Sequence, residues 1–320
     1  MKIAHWAFKN GSGLHKLAEE LANAECALSH ESVLVNNLDP NEWSKGLGAD
    51  VSVLHSHIPD SIMPDIKKLV YCIHGTPEHV FQSSVEMGIN QGYGASDPFM
   101  MAQHFLNVSD AVVTWWERSR DIWQSMCHKN AKVHYVPMGV DKEFWQPVQT
   151  RGKYAGTPSL FTAENCHYIK WPLDLFYLWP WVLKEIPTAV LHVHYLPRDQ
   201  HRWFFPLINA NGASYKSYIS APPLDKPELK NAFCSTDFYI GLVRYGDVNK
   251  ICLEAKSCGA KVISYAGNEW ADYWITEGDQ RNMTKELLAI LKGETQPRQS
   301  KPIPDISETA KGMIEVYESL

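Results

Sequence analysis

Residues 2–35, KIAHWAFKNGSGLHKLAEELANAECALSHESVLV, decide the fold class. Residues 2–8 are a short apolar segment, which Asn-Gly-Ser-Gly at 10–13 interrupts. Apolar residues then recur at the three- and four-residue spacing of a helix face, and a second apolar segment follows at 32–35. The helix face consists of Leu14, Leu17, Ala18, Leu21 and Ala22. The order strand, glycine turn, helix, strand predicts a parallel α/β sheet.

The same alternation continues through the first half of the chain. Further apolar segments of strand length lie at 50–55, 68–74, 111–114 and 132–136. Residues 75–101 are rich in Gly, Pro, Ser and Asn, and we predict a long irregular loop there. Long loops inside compact domains tend to be functional.

The pattern restarts after residues 146–158, where the apolar content falls. Strands are predicted at 159–163, 189–194, 238–242 and 261–265, and helices at 171–185 and 251–257. We therefore predict two α/β domains, 1–150 and 151–320, as expected for a chain of 320 residues. A last amphipathic helix is predicted at 306–319, and packing of this helix against the first domain is one option.

Composition excludes several classes of protein. Hydrophobic residues make up 45% and charged residues 21%, as in soluble globular proteins, and no apolar run approaches the ~20 residues of a membrane span. The seven cysteines are odd in number and never spaced Cys-x-x-Cys, which favours reduced thiols in the cytoplasm. Residues 1–150 hold 17 acidic against 11 basic side chains, which argues against gripping long duplex DNA.

Candidate ligand-binding residues follow the predicted strands. Gly11 and Gly13 lie between the first strand and the first helix, where glycines let backbone amides approach an anion. A purely structural turn explains them equally well. Histidines His55, His57 and His74 end two further strands, and ligands of parallel sheets bind outside these carboxyl ends. The alternative for each is a histidine that only caps its strand.

No metal site is predicted. The histidine spacing does not match a helical zinc pair, and no Asp-x-Asp occurs to hold a metal-bound pyrophosphate.

The most specific stretch is residues 245–264, YGDVNKICLEAKSCGAKVIS. A polar turn leads into a helix that carries Glu254 in its first turns. Such a turn offers backbone amides to phosphate and sugar hydroxyls, and a carboxylate accepts two hydrogen bonds from a ribose diol. The alternative for Glu254 is an ordinary glutamate on a helix surface.

This stretch resembles the Glu-x7-Glu region of retaining family-4 glycosyltransferases, in which a glycine-rich turn precedes Leu-Glu-Ala, a small residue with Gly, and a Val-Ile strand. Residues 136–147, Val-Pro-Met-Gly-Val-Asp followed by Phe144 and Pro147, resemble the element that closes the family's N-terminal domain. The resemblance spans nearly the whole chain and is strongest at 239–264 and 133–147. It implies a GT-B fold, with two Rossmann-like domains whose parallel sheets face a central cleft.

The resemblance also implies roles for single residues. Glu254 matches the glutamate that holds the nucleotide ribose, and Lys170 matches the lysine of the donor pyrophosphate. His74 matches the histidine near the reacting sugar. Gly11 or Gly13 matches the loop that touches phosphate or acceptor.

Two positions depart from the family pattern. The first glutamate of the pair falls on Gly246, with Asp247 beside it as the candidate catalytic carboxylate. The partner arginine falls near Glu164 or Asn165, so that its cation is missing. Lys250 or Arg244 is the expected replacement.

We expect the remaining donor contacts from the amides of 247–249, which include Val248 and Asn249. The acceptor side is expected in the loops 75–105 and 115–125, together with the histidines His55 and His57. Aromatic rings that are free to stack there are Tyr93, Trp115 and Trp116.

These observations predict a glycosyltransferase that moves a sugar from a nucleotide sugar, with UDP-sugar the expected donor and no other cofactor. Family resemblance implies retention of configuration without metal. The expected acceptor is a saccharide or a hydroxymethylated base of modified, phage-type DNA. Two alternatives remain: a nucleotide-sugar 2-epimerase and a catalytically silent nucleotide-sugar-binding protein. No integral membrane association is expected.

Overall fold

A computed structural model of the chain describes residues 1–9, 13–56, 58, 60–91, 98–127, 131–150, 154, 156–163, 173–194, 218–221, 224–244 and 249–320. The chain divides into two compact units. Unit 1 comprises Met1–Asp141 and Pro304–Leu320, and unit 2 comprises Lys142–Ile303. Within the described ranges, no helix is both long and apolar enough to cross a membrane.

Unit 1 is a parallel sheet with helices around it. Its strands are β1 (Lys2–Ala7), β2 (Glu31–Asn36), β3 (Val51–Leu54), β4 (Leu69–Ile73), β5 (Ala111–Thr114) and β6 (Lys132–Tyr135). Its helices are α1 (Gly13–Ala27), α2 (Pro40–Trp43), α3 (Pro77–Gln91), α4 (Pro98–Val108), α5 (Glu117–Met126), a 3-10 helix (Asp60–Asp65) and the C-terminal helix (Ile306–Glu318). The strand order is β2-β1-β3-β4-β5-β6, and every pairing is parallel.

Local sequence explains the helices that cover this sheet. Helix α1 buries Leu17, Ala18, Leu21 and Ala22 of the predicted apolar face, and Leu14 is half-buried. The C-terminal helix packs against α1 and begins with a capping box, in which the Asp305 carboxylate accepts from the amide of Ser307 and the Glu308 carboxylate accepts from the amide of Asp305. Both helices thereby bury one apolar face, as amphipathic surface helices do.

The prediction of an irregular loop over 75–101 is wrong. Helix α3 begins at Pro77 and helix α4 at Pro98, so that the described part of this region is mainly helical. The Thr76 hydroxyl accepts a hydrogen bond from the amide of His79, and proline is favoured at the first helical position. The helix therefore forms from the Thr-Pro start signal, although many of the residues that follow have a low helix propensity.

Unit 2 repeats the architecture. Its strands are β7 (Ser159–Thr162), β8 (Val190–His194), β9 (Tyr218–Ala221), β10 (Phe238–Gly241), β11 (Lys261–Tyr265) and β12 (Tyr273–Ile275). Its helices are α6 (Leu173–Glu185), α7 (Lys226–Cys234), α8 (Lys250–Ser257) and α9 (Gln280–Leu291). The strand order is β12-β11-β10-β7-β8-β9, again with parallel pairing throughout. The predicted parallel α/β fold is confirmed.

Each sheet has one point where the strand order reverses. In unit 1 this point lies between β1 and β3, and in unit 2 it lies between β7 and β10. Segments that leave neighbouring strands in opposite directions open a crevice at the carboxyl edge, and ligands of open α/β sheets bind there. The predicted site residues follow strands at or beside both points.

Candidate functional site

Three buried or half-buried histidines form a hydrogen-bonded row across the sheet of unit 1. His5 lies within β1, His55 follows β3 and His74 follows β4. Nδ1 of His5 lies 2.9 Å from Nε2 of His55, and Nδ1 of His55 lies 3.1 Å from Nε2 of His74. Neighbouring parallel strands therefore place the three rings in line.

A polar side chain closes the row at each end. At one end, Nε1 of Trp115 lies 3.3 Å from Nδ1 of His74. At the other, the Glu25 carboxylate lies 2.8 Å from Nε2 of His5 and also accepts from the hydroxyl of Ser32 at 2.7 Å and that of Tyr317 at 3.0 Å. We call Trp115, His74, His55, His5 and Glu25 the histidine row.

Burial determines the protonation of this row. Burial lowers the pKa of His74 to about 3, and it holds the pKa of His55 well below its usual range with help from the neighbouring histidines. Burial by itself would raise the pKa of Glu25. The attraction of the His5 N–H and the hydrogen bonds from His5, Ser32 and Tyr317 outweigh it, so that the pKa of Glu25 is lowered. At neutral pH, His55 and His74 are neutral and Glu25 is ionised.

We expect acid to destabilise unit 1 through these histidines. The pKa of His74 is about 3 in the folded chain and near 6.5 when unfolded, so its stabilising effect is full above pH 6.5 and is lost as the pH falls towards 3. When the pH is lowered from 7.5 to 5, His74 alone should reduce the free energy of unfolding by about 2 kcal/mol. The midpoint of thermal denaturation should then be lower by about 4–8 °C.

The matched control for this experiment is His74→Asn, because asparagine does not titrate. The difference in pH dependence between wild type and variant isolates His74 from other histidines, such as His134, whose pKa burial also lowers. Equal pH dependence of the two proteins would contradict the assignment.

The other predicted residues of unit 1 are placed as follows. Trp115 is 1% exposed and Trp116 is 6% exposed, so neither ring offers an open stacking face in this structure. Gly13 begins α1, and an added Cβ there would meet nothing within 4 Å. Gly11, His57 and Tyr93 lie outside the described residues. The donor-binding roles of Gly11 and Gly13 and the acceptor-side roles of the other residues stay predictions.

Unit 2 places two predicted donor-binding residues on one face of α8. Nζ of Lys250 lies 3.7 Å from Oε1 of Glu254, one helical turn further on, and their side chains are only 10% and 11% exposed. Asn249 is the N-cap residue and is buried. The helix follows β10, one of the two strands at the reversal point, so this pair belongs to the carboxyl edge where a ligand is expected.

Arg244 follows β10 directly and is matched by acidic side chains. Its guanidinium lies 3.4 Å from the Asp174 carboxylate and 3.5 Å from that of Glu277, and the Tyr265 hydroxyl also donates to Asp174. Burial would lower the pKa of Arg244, but these two carboxylates raise it. The structure therefore gives Arg244 a structural role, and its donor-binding role stays a prediction.

The remaining predicted donor residues, Lys170, Gly246, Asp247 and Val248, lie outside the described residues. Lys170 falls in the segment after β7, and the other three fall in the segment after β10. Both segments leave the strands that flank the reversal point of unit 2. In the part of the chain that the structure describes, no three His, Cys, Asp or Glu side chains group to hold a metal ion.

Sequence reasoning missed two members of the histidine row. His5 interrupts an apolar strand, and Glu25 continues the spacing of Leu17, Ala18, Leu21 and Ala22 onto the buried face of α1. A charged residue on an apolar stripe signals a buried partner. Tyr317, Asp174 and Glu277 were missed because their contacts join residues that are distant in sequence.

Comparisons with known proteins support the fold. No protein-family model and no curated protein sequence matches the chain. Many solved structures resemble it, and three that align over nearly their whole length represent the others. They are sucrose-phosphate synthase from Thermosynechococcus elongatus (12% identity, 100% of this chain and 94% of that one, TM-score 0.70), Anabaena HepE in complex with UDP and glucose (11%, 100% and 100%, 0.68), and an alpha-glucosyltransferase in complex with UDP and a 13-mer DNA containing an HMU base (12%, 99% and 99%, 0.66).

These neighbours define the class of fold. The two parallel-sheet, Rossmann-like units match the fold of GT-B glycosyltransferases. At 11–12% identity the similarity shows the fold alone, and function has to be argued from the residues of this chain.

Proposed function

We propose that this chain is a glycosyltransferase that binds a UDP-sugar through unit 2 and transfers the sugar to a hydroxyl acceptor. One observation carries the proposal: the segments that follow β7 and β10 hold the donor-binding motifs, and these strands flank the reversal point of unit 2. Two of the fold neighbours were solved with UDP.

In this proposal, Lys250 and Glu254 bind different parts of the donor. Glu254 accepts hydrogen bonds from the ribose diol, and Lys250 provides positive charge for the diphosphate. Their ion pair of 3.7 Å is loose for a charge-assisted contact, so a diphosphate oxygen competes well for the ammonium group. Arg244, with two carboxylate partners, is the weaker candidate for this charge.

Two further donor segments complete the proposed cradle. Lys170 and the amides of 247–249, which include Val248 and Asn249, bind the diphosphate and stabilise its charge as the glycosidic bond breaks. Asp247 beside Gly246 stands where the family has its first glutamate, and we propose that it contacts the transferred sugar.

Unit 1 supplies the acceptor side. His74 is proposed to contact the transferred sugar, and Gly11 or Gly13 to contact phosphate or acceptor. The acceptor contacts are assigned to His55, His57, Tyr93, Trp115 and Trp116. Family resemblance supports retention of configuration without metal, and the free cysteines of the described residues support a cytoplasmic location.

Two acceptor classes remain, a saccharide and a hydroxymethylated base of DNA. The DNA acceptor is favoured by one observation: a neighbour solved with DNA matches 99% of both chains. The acidic balance of residues 1–150 counts against it, although a flipped base requires only a local pocket.

A transfer assay tests the proposal. The protein is incubated with UDP-glucose or UDP-N-acetylglucosamine, and released UDP is measured with a panel of saccharides and with DNA containing 5-hydroxymethylcytosine. We expect UDP release that one acceptor class stimulates. Binding of UDP-sugar with no release under any condition would support the silent binder, and an altered sugar in the recovered UDP-sugar would support the 2-epimerase.

A further inference from the structure

We infer that Glu25, His5 and His55 are positioning residues that lock the His74 imidazole into one neutral tautomer, with its proton on Nε2. The inference deepens the role proposed for His74 at the transferred sugar and rests on that role only for its consequence in catalysis. The lock itself follows from the contacts of the histidine row.

The direction of the row is set at its two ends, and Trp115 fixes it at the first of them. An indole nitrogen is a donor only, so Nδ1 of His74 must accept from it and carries no proton. A neutral His74 then holds its proton on Nε2 and donates to Nδ1 of His55. The same logic applies along the row: Nε2 of His55 donates to Nδ1 of His5.

The other end of the row agrees with this direction. Nε2 of His5, as the remaining protonated nitrogen, faces the Glu25 carboxylate at 2.8 Å, and a carboxylate is an acceptor only. A donor-only group at one end and an acceptor-only group at the other leave a single arrangement that satisfies every contact between them. The described contacts thus fix three tautomers together.

The reversed order conflicts with these contacts. It would put a proton on Nδ1 of His74, facing the N–H of Trp115, and leave Nε2 of His5 as an acceptor facing the carboxylate. A proton added to His74 is also unfavourable, because burial lowers the pKa of its imidazole to about 3 and keeps the ring neutral at pH 7. The row therefore fixes which nitrogen of each ring carries the proton, and it takes up no additional proton near neutral pH.

The groups that face the row do not alter its charge near neutral pH. Tyr317 donates to Glu25, and the Glu25 charge also acts on Cys72; burial together with this charge raises the pKa of both well above the usual range. Ser32 contributes only a hydroxyl. Glu25 is thus the single ionised group among these neighbours.

The lock decides what His74 contributes to sugar transfer. Both of its ring nitrogens are engaged, so it is not the base that takes the acceptor proton. A neutral ring also adds no positive charge beside a transition state that is itself oxocarbenium-like. His74 then acts through the fixed position and the fixed dipole of its neutral ring. The hydrogen bonds of His5, His55 and Glu25 keep both in place.

Nitrogen-15 NMR of the histidine rings tests the lock without any ligand. In the full chain at pH 7 we expect His5, His55 and His74 each to show a protonated Nε2 and an unprotonated Nδ1. His104→Gln, a change at an exposed histidine of α4, should remove one set of signals and leave these three unchanged. A protonated Nδ1 on His74 would overturn the inference.

Two variants test whether Glu25 and His55 impose this order. Glu25→Gln keeps the shape but removes the charge, and we expect mixed tautomers at His5 and His74. His55→Gln offers an oxygen to His74 and an amide N–H to His5, so we expect His74 to keep its proton on Nε2. Unchanged tautomers in Glu25→Gln would remove Glu25 from the lock.

Kinetics separate positioning from a structural role. Where sugar transfer is measurable, Glu25→Gln should lower kcat about tenfold with the donor KM unchanged. Equal kcat for wild type and Glu25→Gln would end the positioning role. If no transfer is found, the proposed function fails, while the NMR spectra still decide the lock.

Discussion

Lys250→Ala is expected to weaken binding of a UDP-sugar by at least tenfold. Lys250 is nearly buried on the face of α8 that also carries Glu254, at the carboxyl edge of the sheet. A hydrogen bond to a charged group contributes about 1.5–3 kcal/mol, which corresponds to about 10- to 150-fold in affinity. The variant also removes the Lys250 ammonium group from beside the Glu254 carboxylate, whose negative charge repels a diphosphate. Titration calorimetry with UDP-glucose measures the change.

Two control variants accompany this measurement. Lys292→Ala removes an exposed lysine of the same unit, which pairs with Glu185 at 3.3 Å, and should leave donor affinity unchanged. Lys250→Arg keeps the charge and should retain more affinity than Lys250→Ala. If Lys250→Ala and Lys292→Ala bind the donor equally well, Lys250 is not part of the site.

Glu25→Leu is expected to be the most destabilising change in unit 1. Glu25 is fully buried and ionised, and its carboxylate accepts hydrogen bonds from His5, Ser32 and Tyr317. Leucine would leave three buried donors without an acceptor, and breaking a buried polar network of this kind costs about 3–5 kcal/mol. Thermal unfolding should show a midpoint lower by roughly 6–20 °C.

A matched control lies on the same helix. Glu19 is exposed on α1, so Glu19→Leu should change the free energy of unfolding by no more than about 0.5 kcal/mol. Glu25→Gln should fall between the two, because its amide oxygen still accepts from one donor. A Glu25→Leu protein as stable as Glu19→Leu would show that the network contributes nothing to folding.

Most of the fold could be predicted from the sequence, because buried parallel strands give continuous apolar segments and the helices between them carry apolar stripes. The strands β9 and β12 escaped prediction. Strand β12 has only three residues, Tyr273–Ile275, and β9, Tyr218–Ala221, is as short as a polar loop segment. Helix α3 was not predicted because the Gly, Ser and Asn residues after its start were given more weight than the starting signal, Thr76 with Pro77.

The candidate site could be predicted from the sequence only where a residue's position in its own strand or helix indicates its role. His55 and His74 were found because each ends a strand, and Glu254 with Lys250 because they share one helix turn with a recognisable motif. The histidine row needed His5, Glu25 and Tyr317, which come from β1, α1 and the C-terminal helix. No sequence pattern relates residues that only the sheet order and helix packing bring together.

The proposal depends most on a diphosphate-binding edge in unit 2, and a crystal structure with bound UDP tests this directly. We expect UDP at the carboxyl ends of β7 and β10, with its diphosphate on Lys250 and its ribose hydroxyls on Glu254. UDP bound elsewhere, or an unoccupied edge at a UDP concentration that saturates the protein in solution, would contradict the proposed function.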